Sequence, residues 1–113
     1  MLKFSIRRRP TVLVPPAVAT PRELKRLSHI DGQDGLRFHI PIIQFYRRSM
    51  DHRGQDDPVP VIGDALPRAL MHYYPFVGRL RKLEGRKLAV HCTGEGVLFT
   101  EADADVRLEQ FGC

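Results

Sequence analysis

Apolar residues fall into short runs along the chain, separated by turn-forming segments. Residues 4–14 alternate in part between apolar and polar side chains, and prolines crowd the stretch that follows. Because proline cannot donate a hydrogen bond to a sheet ladder, this pattern predicts a short edge strand that leads into a rigid connector. Residues 24–35 contain two Asp, two Gly and one Ser, and there we predict a loop with at most one helical turn.

The densest apolar run, residues 36–47, predicts a strand because it is rich in Ile, Phe and Tyr and bounded by a glycine and a polar segment. Side chains alternate across a strand, so Phe38, Ile40, Ile42, Gln44 and Tyr46 would share one face, and Arg37, His39, Pro41, Ile43 and Phe45 the other. Both faces are largely apolar, so we expect both to be buried. The proline inside the run indicates an edge position or a bulge.

The hydrophobic period then changes to that of a helix. Five apolar residues recur at one, two and three helical turns from the first and would form the buried face of this helix: Ile62, Leu66, Ala69, Leu70 and Tyr73. Asp57 or a neighbour can cap the start, and Pro75 with Gly78 can end the helix. Pro67 lies inside it and predicts a kink, because proline removes one helical hydrogen bond and crowds the preceding turn.

Two short apolar runs, residues 88–93 and 97–101, follow a basic link and are separated by Gly94, Glu95 and Gly96. This arrangement predicts a C-terminal hairpin. The tail, residues 103–113, fits either an extended edge or a short helix. Together the elements predict one mixed α/β unit with a mixed sheet, one main helix and a hairpin.

Length and composition suit a single small domain. The chain has 113 residues, of which 42% are hydrophobic and 27% charged. No apolar run approaches the roughly 18 residues of a membrane span, and the basic start lacks the apolar core of a signal peptide. With only Cys92 and Cys113, neither a disulfide framework nor a zinc site of cysteines is encoded. We therefore expect a soluble cytoplasmic protein with no metal.

The formal charge of +5, carried on 18 basic residues of which 14 are Arg, raises the question of nucleic-acid binding. The basic residues are scattered in short clusters with acidic residues among them, and no known nucleic-acid-binding pattern is present. We therefore expect solvated basic edges, with neither nucleic acid nor membrane as a partner. A basic module that binds polyanions stays a hypothesis for function, ranked third after the two that are given below.

Several motifs could carry chemistry, and each has a simpler interpretation. His52 and Asp56 have the spacing His-x-x-x-Asp of a general base and its partner, but they lie in a polar segment that predicts a solvated loop. Glu101, Asp103 and Asp105 alternate like calcium ligands but lack the rest of that loop, so we expect a charged turn. We interpret Cys92 as a small buried hydrophobic residue. The residues alone therefore indicate no active site.

Several segments, in order, resemble the BAHD family of plant acyl-CoA-dependent acyltransferases. They are Val14-Pro15-Pro16, Leu27-Ser28-His29-Ile30-Asp31, residues 37–46, Ala69-Leu70-Met71-His72-Tyr73-Tyr74-Pro75, Phe76-Val77-Gly78-Arg79-Leu80-Arg81 and Cys92-Thr93-Gly94-Glu95-Gly96-Val97. The resemblance covers essentially the whole chain. Within the family it is strongest to the branch that acylates alcohols such as benzyl alcohol.

The resemblance implies a chloramphenicol-acetyltransferase-like fold with two similar domains and the active site between them. Residues 1–113 would form an incomplete N-terminal domain of an enzyme that moves an acyl group from acyl-CoA to an alcohol or amine. Acyl-CoA would be a co-substrate, with no bound cofactor. The family's catalytic histidine lies in a His-x-x-x-Asp-Gly motif that these residues lack, since Asp57 follows Asp56. We therefore assign no catalytic residue here and expect the chain to be inactive alone.

The resemblance also indicates a substrate-binding segment, because in relatives the strand equivalent to residues 38–46 lines the acceptor end of the channel. His39, Ile42 and Gln44 are the candidate acceptor-binding residues, and an apolar Ile42 would suit an aromatic or aliphatic alcohol. The alternative, that Ile42 is core and Gln44 satisfies a backbone group, is equally compatible with the sequence.

Two further expectations concern the chain as a whole. We expect a truncated product whose exposed edges and apolar faces favour self-association and low solubility. The alternative to a catalytic role is a non-catalytic interaction protein or a degenerate truncated product.

Overall fold

The computed structural model describes residues 1–47 and 57–112. These residues form one α-helix, α1 (Pro58–His72), and seven short strands. The strands are β1 (Ile6–Arg8), β2 (Val12–Val14), β3 (Leu24–Arg26), β4 (Arg79–Lys82), β5 (Leu88–His91), β6 (Val97–Phe99) and β7 (Ala102–Ala104). Four 3₁₀ turns lie at Asp34–Leu36, Tyr74–Val77, Glu84–Arg86 and Leu108–Phe111. The mixed α/β class predicted from the sequence is confirmed.

The first two strands and the last two form one antiparallel ribbon. β1 pairs with β7 and β2 with β6, in the registers Ile6↔Ala104 and Val12↔Phe99. Residues 9–11 separate the strands on one side and residues 100–101 on the other, so the N-terminal side carries one extra residue. Pro10 lies among these unpaired residues, so its lack of an N–H removes no hydrogen bond from the ladder.

A second sheet has the order β3-β5-β4, with both outer strands antiparallel to β5. Its central strand carries the apolar sequence Leu-Ala-Val-His, whereas the outer strands read Leu-Lys-Arg and Arg-Leu-Arg-Lys and are exposed throughout. Long cationic side chains on an outer strand oppose further pairing in solution. The sheet therefore has a partly buried centre and two charged edges.

Helix α1 begins and ends where its sequence predicts. The Asp57 side chain accepts a hydrogen bond from the Val59 amide at 3.0 Å, which satisfies one free donor at the helix start. The helix is continuous through Pro67 to His72, and a 3₁₀ turn containing Pro75 follows it. The Pro67 carbonyl accepts a bond from the Ala17 amide at 2.9 Å, so the proline-rich connector contacts the helix there.

The buried core of the described residues is small. Only Leu70, Val77, Ala89 and Cys92 are buried apolar residues, and they join the end of α1, the following 3₁₀ turn and β5. The solvent-accessible surface is 10073 Å², against about 6,300 Å² for a compact monomer of this mass. The radius of gyration is 18.2 Å, against about 13 Å for a compact chain of this length. A large apolar surface is thus left uncovered.

Four predictions of local structure are wrong. Residues 37–47 form no strand and are mostly exposed, because no described strand lies beside them to accept their backbone hydrogen bonds and Pro41 has no N–H to offer. A hairpin does follow the helix, but its arms are β4 and β5, whereas β6 pairs with β2. The predicted loop at 24–35 contains β3, and the predicted basic link contains β4.

Candidate functional site

The predicted acceptor-binding residues lie on one exposed segment, residues 37–47, which we call the acceptor segment. His39, Ile42 and Gln44 all lie on the surface, and the Ile42 side chain is 76% exposed. Gln44 accepts a hydrogen bond from the Tyr46 hydroxyl, so this amide is engaged within the segment itself. The interpretation of Ile42 as core is therefore wrong for the described residues. Their role in binding an acceptor stays a prediction.

Arg37 fixes the first end of the acceptor segment. Its Nε and Nη2 atoms donate to the Gly32 carbonyl at 3.1 and 2.7 Å, and Nη2 also donates to the Arg86 carbonyl. Its Nη1 atom lies 3.5 Å from the Asp34 carboxylate. Because a guanidinium presents several donors in a rigid plane, one side chain ties the segment to both the preceding loop and the β4–β5 turn.

An aromatic cluster holds the other end. The rings of Phe45 and Phe111 have centroids 5.6 Å apart, and Phe4 meets Phe111 edge-on at the same distance. Such contacts add roughly 0.5–1.5 kcal/mol each beyond the burial of area. The acceptor segment is thus anchored at Arg37 and at Phe45, with the three predicted binding residues between the anchors.

The family-like Gly-Arg-Leu and Gly-Glu-Gly blocks meet across the fold. Arg79 Nε lies 2.9 Å from the Glu95 carboxylate, and its Nη1 donates to the carbonyls of Val77, Gly78 and Gly96. Both ion-pair partners are about half exposed, so we attribute no more than about 1 kcal/mol to the pair. The arginine therefore acts mainly as a hydrogen-bonded brace between the two blocks.

The glycines of these blocks are required by close backbone packing. A Cβ atom on Gly96 would lie 2.3 Å from the Val14 carbonyl oxygen, and the residue has φ +114°, a conformation that favours glycine. A Cβ atom on Gly78 would lie 2.4 Å from the His91 carbonyl oxygen. Neither glycine is available to cradle a ligand, because a strand occupies the space in front of each.

Tyr74, from the family-like Tyr-Tyr-Pro block, joins a surface network with Glu23 and Lys25. Its hydroxyl donates to the Glu23 carboxylate, which lies 3.4 Å from Lys25 Nζ, and the ammonium sits 5.6 Å from the centre of the Tyr74 ring. The hydrogen bond from Tyr74 lowers the pKa of Glu23, and the same bond raises the pKa of Tyr74. The network fastens the turn after α1 to the start of β3.

The other sequence motifs are structural or lie outside the described residues. Cys92 is fully buried, and burial raises the pKa of its thiol, as expected for an inert core residue. Glu101 and Asp103 pair with Arg9 at 3.3 and 3.8 Å, and Asp105 accepts from the Ser5 amide, so these carboxylates brace the N-terminal ribbon. The pair of His52 and Asp56 lies outside the described residues.

The model of a family described as "Transferase family" matches residues 4–113, almost the full chain. The chain belongs to this transferase family. This match, together with the plant acyltransferases to which the chain is similar, confirms the resemblance drawn from the sequence.

Among curated members of the transferase family, the chain is similar to several alcohol acyltransferases. Benzyl alcohol O-benzoyltransferase of Nicotiana tabacum is 59% identical over 98% of this chain, and (Z)-3-hexen-1-ol acetyltransferase of Arabidopsis thaliana is 60% identical over 96%. Alcohol acyltransferase 1 of Actinidia deliciosa is 57% identical over 96%. The chain spans about a quarter (24%) of the length of each of these relatives.

Sequence reasoning missed that Arg37 binds the β4–β5 turn beside the predicted acceptor-binding residues of this transferase-family chain. The signal was weak: Gly85 marks a turn, but Arg86 adopts a left-handed backbone (φ 61°) that its residue type does not predict. Its carbonyl is an acceptor for Arg37.

None of the helices in the two described ranges has the length and apolar character that a membrane crossing needs.

Proposed function

We propose that this chain forms the acceptor side of the first domain in an enzyme that transfers an acyl group from acyl-CoA to an alcohol. His39, Ile42 and Gln44 contact the acceptor. The general base that removes the hydroxyl proton comes from a His-x-x-x-Asp-Gly motif outside these 113 residues, so the isolated chain does not turn over substrate.

The single observation that carries this proposal is identity near 60% to alcohol acyltransferases along nearly the whole chain. The anchored acceptor segment adds physical support. An exposed apolar strip that is held at both ends is suited to be one wall of a binding site, which further residues of the enzyme complete. Burial of Ile42 against an apolar alcohol contributes about 1.5–3 kcal/mol when complete.

The acceptor is accordingly a small aromatic or aliphatic alcohol, since residues 38–46 contain no Lys or Arg to pair with an acidic substrate. Acyl-CoA is the donor and no further cofactor is required. We place the reaction in the cytoplasm, where both cysteines remain reduced.

A chimera tests the proposal. This chain replaces the matching quarter of the tobacco benzyl alcohol O-benzoyltransferase, and transfer from benzoyl-CoA to benzyl alcohol is measured beside the tobacco parent. We expect an active chimera and no turnover by the isolated chain. A folded chimera without activity, or turnover by the isolated chain, would contradict the proposal.

Variants in the chimera then test the binding residues. Ile42→Ala should raise the KM for the alcohol several-fold and leave the KM for benzoyl-CoA unchanged. The reason is that the methyl groups which the substitution removes contact only the acceptor. Val61→Ala is the matched control, since Val61 is also an exposed apolar residue, 50% exposed on helix α1. Equal effects of the two substitutions would remove Ile42 from the site and favour a non-catalytic role for this segment.

A further inference from the structure

A cavity of about 440 Å³ lies at the first end of the acceptor segment. It is bounded by the loop after β3 and by the turn between β4 and β5. Its lining includes Arg26, His29, Gly32, Arg37, Arg86 and Lys87. Four of the lining residues are Arg or Lys and none is Asp or Glu, whereas the whole chain has 18 basic and 13 acidic residues. The lining is therefore richer in basic side chains than the chain as a whole.

Arg37 and Arg86 form one positively charged wall of the cavity. The Asp34 carboxylate lies 3.5 Å from Arg37 and 3.6 Å from Arg86, so one negative charge is shared between two guanidinium groups. The Asp31 carboxylate, in the same loop, accepts a hydrogen bond from the Ser28 hydroxyl. Among the described residues, Asp34 is the one carboxylate within 4.0 Å of either guanidinium, so two positive charges share one contacting negative charge.

Arg26 and Lys87 face the cavity from two neighbouring strand ends. Arg26 is the last residue of β3, and Lys87 directly precedes β5. Both are exposed, and no carboxylate of residues 1–47 or 57–112 lies within 4.0 Å of either cation. Among the described residues, no carboxylate is paired with these two cations, so their donors can take an anion there, and His29 also lines the cavity.

We infer that this cavity binds the phosphate or diphosphate group of a small molecule. Arg26 and Lys87 donate charge-assisted hydrogen bonds to the phosphate oxygens, and the wall of Arg37 and Arg86 supplies the surrounding positive field. The volume lies in the range of small-molecule sites, about 300–1,000 Å³, so a diphosphate fits. The source is either the coenzyme A part of the proposed co-substrate or a separate phosphate-bearing metabolite.

Calorimetric titration of the full chain with sodium pyrophosphate tests the inference. We expect saturable binding at one site, and Arg26→Ala and Lys87→Ala should each weaken it about fivefold. Arg68→Ala is the matched control: it removes the same charge from helix α1, outside the cavity, and should leave the affinity unchanged. Raising the ionic strength from about 0.01 M to about 0.15 M should weaken binding, since the Debye length falls from about 30 Å to about 8 Å.

Competition by coenzyme A identifies the source of the phosphate. Displacement of pyrophosphate by coenzyme A assigns the site to the co-substrate, and failure to displace assigns it to another phosphate-bearing molecule. Protection of the buried Cys92 thiol shows that each variant is folded, and the chimera with the tobacco enzyme is titrated in the same way. Absence of binding in both proteins, or equal loss in the Arg68 control, would overturn the inference.

Discussion

Gly78 is a position at which one added methyl group should destabilise the fold by steric overlap alone. A Cβ atom there would lie 2.4 Å from the His91 carbonyl oxygen, 2.8 Å from Val90 Cγ1 and 3.0 Å from the His91 carbonyl carbon. Ordinary contacts begin at 3.4 Å, so the backbones must separate by about 1 Å. The backbone of Gly78 is itself extended (φ −81°, ψ −171°) and open to alanine. The cost of Gly78→Ala is therefore steric.

The displaced oxygen belongs to β5, which is hydrogen-bonded on both sides, so the clash cannot be relieved by turning a side chain. Overpacking of this kind costs about 1–3 kcal/mol. A loss of about 2 kcal/mol would raise the opening constant of the sheet nearly 30-fold. We expect the protected amides of Leu88–His91 to exchange with deuterated solvent faster by that factor, as measured by mass spectrometry.

Gly63→Ala is the matched control because it adds the same methyl group within helix α1, where no described atom beyond the adjacent helical backbone lies within 4 Å of the new Cβ. Alanine is favoured over glycine inside a helix by up to about 1 kcal/mol, so exchange in β5 should stay unchanged or slow down. Exchange of the Gly78 variant at the wild-type rate would refute the steric argument. Equal acceleration by the control would attribute the effect to a general loss of stability.

Three further outcomes follow from the contacts described. Arg37→Lys loses the planar donor set, and chymotrypsin should cleave the acceptor segment about tenfold faster; an unchanged rate would contradict its anchoring role. In Glu23→Gln the pKa of Tyr74, followed by NMR, should fall toward its ordinary value, because the hydrogen bond to the carboxylate raises it. In the wild-type chain the pKa of Glu23 is lowered, so the stabilising effect of Glu23 is fully present above its unfolded-state pKa. That effect is lost as the pH falls through the folded-state pKa of Glu23. With Cys113→Ser, the remaining Cys92 should react with a thiol reagent only in denaturant, and rapid reaction in buffer would contradict its burial.

The helix could be predicted from sequence because its signals are local. Asp57 caps it, a 3.6-residue period runs through it, and Pro75 stops it within a few residues of its end. Strand pairing depends on residues far apart in sequence. β3 and β4 are charged and give no hydrophobic pattern, and they form because β5 offers hydrogen bonds on both sides.

In the acceptor segment, by contrast, the sequence predicts a strand that the structure does not form. Its composition is that of a strand, yet residues 37–47 lack a partner within the described chain. Composition reports what a segment can bury, whereas pairing needs a neighbour with free donors and acceptors. The same limit applies to the candidate site. His39, Ile42 and Gln44 could be predicted by resemblance, whereas the anchoring role of Arg37 depends on the β4–β5 turn, which only the fold places beside it.

Separation of anchors from binding residues has a consequence for specificity. The glycine blocks and Arg79 hold strands together, and Arg37 and Phe45 hold the acceptor segment by its ends. Side chains between those ends touch little of the described fold, so substituting them removes few stabilising contacts. In the proposed enzyme, acceptor preference can therefore change through residues 38–44 at little cost in stability, whereas changes at the anchors move the whole segment and alter stability and specificity together.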